Sequence, residues 1–348
     1  MAITPIKTAV CSFGMSGSVF HAPFIHLNPG FELYAVWERS KNIAETKYPG
    51  VKTYRSLEEL LNDDAIELVV VNTPSLTHFD YAKKTLLAGK HVIVEKPFTA
   101  TTDEATELIA LAKEQNKKIS VYQNRRYDSD YKTVKKILDE EWIGDIVEAE
   151  IHYDRFNTAL SPKLHKEIPG ATGIVYDLGS HLIDQALQFF GMPATLFADL
   201  AIFRPHSRVE DYMEIVLFYP GFRVRLKGSY FVREPLPSYN LHGHKGSFIK
   251  ARTDVQEKAL QSGATPDSEN WGTEPDNEKG LLHTEKDGKV IREYITSLKG
   301  NYMEYYDGIF EAIRNNKPVP VTAEEGRNVI RIIEAAYRSN KEKRVVEV

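Results

Sequence analysis

Thr8-Ala9-Val10-Cys11-Ser12-Phe13-Gly14-Met15-Ser16-Gly17 is an apolar run that breaks into a loop of small residues with two glycines. An apolar run of strand length leading through such a loop into a helix is the first strand–turn–helix of an open α/β sheet. Gly14 would let a bound group approach the backbone, and Gly17 would let helix and strand pack closely. Backbone amides at a helix start favour an anion, above all a phosphate.

Outward from this loop, short apolar strands alternate with amphipathic helices. Strands are expected at residues 8–12, 32–37, 66–71, 91–94 and 118–122, with near-continuous apolar interiors, as where both faces of a sheet are covered. Helix starts carry capping pairs: Ser56 with Glu59 three residues on, and Thr101 with Glu104. This alternation predicts a doubly wound parallel sheet over residues 1–123. The pattern then changes. In Ile146-Val147-Glu148-Ala149-Glu150-Ile151-His152-Tyr153, Val147, Ala149, Ile151 and Tyr153 face one way, and Glu148, Glu150 and His152 the other. Strict alternation is a half-buried strand. Similar strands follow at 196–203, 213–219, 223–231 and 239–242. Residues 124–348 therefore read as an α+β domain with a largely antiparallel, open-faced sheet. Its polar face could floor a substrate site or make a subunit interface. Residues 254–288 read as a polar surface excursion with a short helix at 256–261.

Bulk composition narrows the class. The chain has 348 residues, 42% hydrophobic and 27% charged, which suits two globular domains with real cores. Its formal charge of -5 and lack of a basic run argue against nucleic-acid binding. The only cysteine is Cys11, so no intrachain disulfide forms. The start has no long apolar region, and no apolar run approaches the ~20 residues of a membrane span. A cytoplasmic protein with no membrane partner is expected.

The loop resembles the dinucleotide fingerprint G-x-G-x-x-G, with Ser12 in place of the first glycine. Glu38 lies 21 residues after Gly17, close to the ~20-residue offset of the acid that takes the ribose hydroxyls of NAD. Arg39 and Ser40 argue for the 2′-phosphate of NADP instead. NADP is preferred, with Glu38 swung outward, and NAD is the second candidate. At the carboxyl end of the strand at 91–94 stands Glu95-Lys96-Pro97. Ligands bind outside the carboxyl ends of strands in such sheets, so Lys96 is a candidate catalytic group.

These pieces resemble the Gfo/Idh/MocA oxidoreductases. The matching residues are Gly14 and Gly17 with Phe20-His21-Ala22-Pro23; Thr73-Pro74-Ser75 with His78; Ala88-Gly89-Lys90-His91-Val92 running into Glu95-Lys96-Pro97; Gln123-Asn124-Arg125-Arg126; Gly173-Ile174-Val175-Tyr176-Asp177-Leu178-Gly179-Ser180-His181; and Pro320-Val321-Thr322-Ala323-Glu324-Glu325-Gly326. Within the family the chain is most similar to the NADP-dependent scyllo-inositol dehydrogenase branch, through Tyr153-Asp154-Arg155-Phe156 and Asn301-Tyr302. Ser12 departs from the pattern and puts the loop's tight first turn in question.

The resemblance implies a catalytic group of Lys96, Asp177 and His181. It implies a cofactor held along Phe13, Gly14, Ser16, Gly17, Glu38, Arg39, Ser40, Thr73, Pro74, His78, Glu95, Lys96 and Asn124. Substrate would meet Lys96, Arg125, Tyr153, Arg155, His165, Asp177, His181 and Tyr302. The chemistry agrees. Oxidising a secondary alcohol needs a group to take the hydroxyl proton and another to stabilise the developing alkoxide. Asp177 and His181 are four apart and so share a helix face. They could instead chelate a metal with His152 or His165, but hydride transfer to a nicotinamide needs none, and no metal is expected. His242-Gly243-His244 reads as part of a turn. The expected activity is hydride transfer between a nicotinamide and a secondary alcohol of a cyclic polyol or sugar. A glycosidase that retains its nicotinamide and a non-catalytic dinucleotide-binding regulator are the alternatives. The open sheet predicts a homodimer or homotetramer.

Overall fold

Strand β1 (Ile6–Val10) lies at the centre of a six-stranded parallel sheet with β2 (Phe31–Trp37), β3 (Lys52–Tyr54), β4 (Leu68–Val71), β5 (His91–Glu95) and β6 (Ile119–Tyr122), in the order β3-β2-β1-β4-β5-β6. The order reverses between β1 and β4, the position where such sheets open a crevice for ligands. The computed structural model describes residues 4–348, apart from the side chains of Leu164 and His165. The expected strands are present with slightly different ends, and β3, which the sequence reading lacks, extends the sheet. Ala9, Val10, Val69, Val70, Val71, Ile93, Val94 and Val121 are fully buried, as helices on both faces require. The capping signals operate as read. Ser56 Oγ accepts from the Glu59 amide at 3.1 Å, and Thr101 with Glu104 forms a complete capping box.

The unit built on this sheet comprises residues up to Tyr127 together with Val255–Trp271 and Asn301–Arg327. Gln256 ties those later segments down: its amide donates to the Tyr127 carbonyl at 3.0 Å, and its Oε1 accepts from Trp271 Nε1 at 3.1 Å and the Tyr302 amide at 2.8 Å. Phe24, Tyr122, Tyr302, Tyr305 and Tyr306 form a buried aromatic cluster around them.

The second unit comprises Asp128–Asp254, Gly272–Gly300 and Asn328–Val348. Its sheet has nine strands: β7 (Ile146–Asp154), β8 (Thr195–Ala201), β9 (Tyr212–Tyr219), β10 (Phe222–Ser229), β11 (Tyr239–Gly243), β12 (Gly246–Lys250), β13 (Gly280–Lys286), β14 (Lys289–Ile295) and β15 (Val346–Glu347). They run in the order β14-β13-β12-β11-β7-β10-β9-β8-β15. Only β7 and β10 pair in parallel. Ala149, Ile151, Ile215, Leu217, Val224, Leu226 and Leu241 are fully buried on one face. The other face is charged, with Arg225 Nε 3.2 Å from Glu214 and a guanidinium nitrogen 3.9 Å from both Glu148 and Glu150. His152 departs from the expected exposed face. It is 3% exposed, held at 3.0 Å by Glu150 and 3.4 Å by Asp154. The stretch expected to be a polar excursion contains the helix Val255–Gln261, but its end enters the sheet as β13, which pairs with β14 at the edge. His244 and Lys245 form the two-residue turn between β11 and β12, and His242 Nδ1 lies 2.8 Å from Ser247 Oγ. Among the described residues no helix is long and apolar enough to cross a membrane.

Candidate active site

The glycine loop is shaped by two different steric demands. A Cβ at Gly17 would lie 1.9 Å from the Ser12 carbonyl oxygen and 2.9 Å from Asn72 Nδ2, so glycine is obligatory there. A Cβ at Gly14 would meet nothing nearer than Ser12 Oγ at 3.6 Å, and Gly14 is exposed. The protein itself does not require glycine at 14; a close-lying ligand would. Ser12 fits the first position without left-handed backbone. Its carbonyl accepts from Asn72 Nδ2 at 2.8 Å, and its Oγ accepts from the Gly14 amide at 3.4 Å. The doubt raised by the missing first glycine is thereby answered by geometry. Asn72 Oδ1 is buried with no hydrogen-bond partner among the described residues, a group that wants a donor. Open space over Gly14 and this acceptor fit a nucleotide cofactor. The helical segment that follows opens as a π turn, Ser16–His21, before becoming α-helical at Ala22–Leu27. Phe13 is buried edge-on against Tyr48.

Glu38 turns inward, where an outward swing was expected. It is 7% exposed, and its two oxygens accept from the amides of Ile43 and Ala44 at 3.2 and 3.0 Å, capping the helix Ile43–Lys47. Arg55 braces the same loop by donating to the carbonyls of Glu38 and Lys41 at 2.8 and 2.7 Å and to Asn42 Oδ1. The loop so pinned leaves Arg39 and Ser40 exposed.

At the end of β5, Glu95 accepts from Ser16 Oγ, His21 Nε2 and the Lys96 amide, and the Lys96–Pro97 peptide is cis. Lys96 is partly exposed. Thr73 Oγ1 lies 2.7 Å from Thr77 Oγ1, and Pro74 is exposed. His78 is 1% exposed, with Nδ1 2.8 Å from the Pro97 carbonyl and Nε2 2.9 Å from that of Thr73. Burial pushes its pKa down, although both carbonyls favour the cation. The ring thus fastens the Thr73 loop to the Lys96 turn. Asn124 is buried. Arg125 pairs with Glu257 and donates to the Tyr302 hydroxyl at 3.2 Å, and Tyr302 has no exposed surface. These contacts place Arg125 and Tyr302 inside the packing of the first unit.

In the second unit, Asp177 sits in another π turn, Val175–Gly179, which feeds the helix Ser180–Phe190 carrying His181. The pair therefore straddles a π–α junction, where a regular helix was expected. Asp177 is partly exposed, while His181 is 4% exposed. The His181 and Tyr153 rings are 6.3 Å apart. Arg155 and Arg252 lie over the Tyr153 ring at 5.4 and 4.5 Å. Burial works against the Arg155 cation, yet Tyr153 and the Asp177 carboxylate outweigh it and hold its pKa above the ordinary value. This unit thus gathers Tyr153, Arg155, Asp177 and His181, and adds Arg252, which sequence reasoning missed. Arg252 lies two residues beyond β12, for which the sequence reading gave only the turn before it. The side chain of His165 lies outside the described residues.

Comparison with known proteins agrees with this architecture. Residues 6–123 match the Gfo/Idh/MocA family model for an oxidoreductase NAD-binding Rossmann fold, and residues 135–348 match the model for the family's C-terminal alpha/beta domain. The scyllo-inositol 2-dehydrogenase (NADP(+)) IolW of Bacillus subtilis (strain 168) is 39% identical over 344 residues, which is 99% of this chain and 96% of that one. The uncharacterized oxidoreductase YdgJ of Escherichia coli (strain K12) is 37% identical over 97% of this chain and 96% of its own. A solved structure from Bacteroides fragilis NCTC 9343 superposes with a TM-score of 0.91 at 47% identity, covering 99% of this chain and all of its counterpart. With both domains matched and relatives aligned from end to end, the chain belongs to the Gfo/Idh/MocA family of NAD(P)-binding oxidoreductases.

Proposed function

We propose that this protein is an NADP-preferring dehydrogenase of a cyclic polyol or sugar with an inositol-like ring. The observation that carries this reading is the end-to-end relation to an enzyme described as an NADP(+)-dependent scyllo-inositol 2-dehydrogenase. The loop after β2 supports the cofactor choice. Glu38, the acid at the NAD-selecting offset, is consumed as a helix cap, while Arg39 and Ser40 face outward, where a 2′-phosphate would find a guanidinium and a hydroxyl. The bound nicotinamide would supply the hydride acceptor. Ser12, Gly14, Gly17 and Asn72 would hold the dinucleotide.

The chain's own residues would handle the proton and the charge. His181 is assigned the alcohol proton, Lys96 the developing alkoxide, and Asp177 a neighbouring hydroxyl or the orientation of its partner. Tyr153 and Arg155 suit a ligand bearing several hydroxyls. The test is a panel of polyols and sugars with NADP and NAD, followed by absorbance of the reduced cofactor. Lys96→Ala, Asp177→Asn and His181→Ala should each lower kcat ~100-fold or more. Normal turnover by all three variants would remove the assignment. The charged open face of the second sheet is read as a self-association surface, giving a dimer or tetramer in solution.

A further inference from the structure

Glu95 is the meeting point of three donors. Ser16 Oγ at 2.6 Å and His21 Nε2 at 3.0 Å both reach Oε1, and the Lys96 amide reaches Oε2 at 3.1 Å. Ser16 and His21 are the first and last residues of the π turn, five positions apart. On an α-helix of 3.6 residues per turn they would point about 140° from each other. A π turn closes its hydrogen bonds from i to i+5, which brings such positions nearly into line. That geometry is what lets one carboxylate oxygen take both.

His21 is built in on every side. It has no exposed surface, its ring centroid is 4.4 Å from that of Tyr122, and its Nδ1 is 2.7 Å from the Tyr306 hydroxyl. A carboxylate only accepts, so the proton is assigned to Nε2; Nδ1 then accepts from Tyr306. Tyr306 is itself fully buried in the helix Met303–Arg314, so the tautomer is held as well as the ring.

We propose that His21 is a positioning residue: through Glu95 it fixes the backbone at Lys96, and the π turn makes the glycine loop and the Lys96 strand end one braced piece. The proposal rests on the reading of Lys96 as the substrate-facing group. Other observations point the same way. Burial disfavours the Glu95 anion, but His21, Ser16 and Lys96 outweigh it and hold its pKa below the ordinary carboxylate value. The titratable groups that face Glu95 are His21, Lys96, His78 and the phenols of Tyr122, Tyr305 and Tyr306. Removing His21 takes away a principal support of the anion and leaves burial in place, so the Glu95 carboxyl titrates at higher pH. Once protonated, it is a poorer acceptor for the Lys96 amide.

The experiment compares full-length wild type, His21→Ala, His21→Gln and Lys96→Ala. Amide hydrogen exchange across residues 94–101 should be ~10-fold faster in His21→Ala and partly restored in His21→Gln, which keeps an N–H donor. In turnover, kcat of His21→Ala should fall ~10- to 100-fold, with the acid limb of its pH profile moved to higher pH than in the wild type. A folded His21→Ala with wild-type exchange at Lys96 overturns the proposal, whatever its activity. Normal turnover by Lys96→Ala would refute the role of Lys96 instead, leaving exchange to judge the brace. If His21→Ala does not fold, Tyr306→Phe, which removes only the tautomer-setting hydroxyl, should speed the same exchange ~3-fold or more; unchanged exchange there overturns the proposal too.

Discussion

Alanine at Gly17 and alanine at Gly14 are the same chemical change three residues apart, and the structure assigns them opposite consequences. At Gly17 the added Cβ falls 1.9 Å from the Ser12 carbonyl oxygen and 2.9 Å from Asn72 Nδ2. An ordinary contact needs more than 3 Å, so strand end and helix must part by over an ångström, breaking or bending the Asn72–Ser12 hydrogen bond. Overpacking of this kind costs about 1–3 kcal/mol, or roughly 3–10 °C in Tm for a unit of this size. At Gly14 the Cβ makes an ordinary 3.6 Å contact and the backbone is not left-handed, so Gly14→Ala should melt within about 2 °C of wild type. Its methyl group projects where a pyrophosphate would lie, and NADPH affinity should fall ~10- to 100-fold. Thermal melts and fluorescence titration with NADPH on both variants decide the matter. If Gly14→Ala binds NADPH like wild type, or melts as early as Gly17→Ala, the steric reasoning about the loop is wrong.

Two other predictions concern charge. Arg39→Ala should raise KM for NADP ~10-fold or more and leave KM for NAD within about two-fold, since only the 2′-phosphate calls on the guanidinium; equal changes with both cofactors would remove Arg39 from recognition. The second is a pH dependence of stability. His91 Nδ1 accepts from the Lys118 amide at 2.9 Å, and burial pushes its pKa down from 6.5 to about 4. Between those values the unfolded chain binds the extra proton and the folded chain does not, so the contribution is complete above pH 6.5 and lost as pH falls toward 4. A shift of 2.5 (6.5 − 4) corresponds to about 3 kcal/mol at most. His91→Gln, which keeps an acceptor for Lys118, should flatten the fall of Tm across this range; an unchanged slope would mean other groups cause it.

The parallel sheet was legible because its strands are buried on both faces, so their apolar runs are continuous. The edge hairpin was not. In β14, Val290 and Tyr294 are 71% and 65% exposed, and a strand with no buried side has no alternation to read. The same holds for β3, whose three residues are partly or fully exposed. The gathering of Tyr153, Arg155, Asp177 and His181 within one unit could be anticipated from strand alternation and family resemblance together. What sequence spacing could not reveal is which polar groups are already committed. Glu38 stands at the right offset from Gly17, yet the amides of Ile43 and Ala44 take its oxygens. Arg125 and Tyr302 look like ligands for hydroxyls, yet Arg125 donates to the Tyr302 hydroxyl and pairs with Glu257 within the packing. Competition for a polar side chain is settled by the groups the fold brings to it, a few residues on for Glu38 and far along the chain for Arg125, and an offset from a glycine shows neither.

The two π turns show why some of this structure is invisible to periodicity. Each spans a single turn, too short to alter the spacing of apolar residues around it. Each also contains a glycine in a close contact: a Cβ at Gly17 would fall 1.9 Å from the Ser12 carbonyl oxygen, while one at Gly179 would come within 2.8 Å of Met213 Sδ on β9, the end of a flexible side chain that can shift. A π turn is wider than an α turn, so its backbone bulges, and where the bulge meets other backbone, as at Gly17, there is no room for a side chain. The gain lies on the other side of the helix. In the first turn the widening aligns Ser16 and His21 on one carboxylate. In the second it leaves Asp177 partly exposed while its neighbours Tyr176 and Leu178 are buried. A regular helix with alanine at either glycine would be easier to form, but it would aim these side chains elsewhere. The glycine at 17 is therefore better understood as a condition for where Ser16 and His21 point than as loop flexibility.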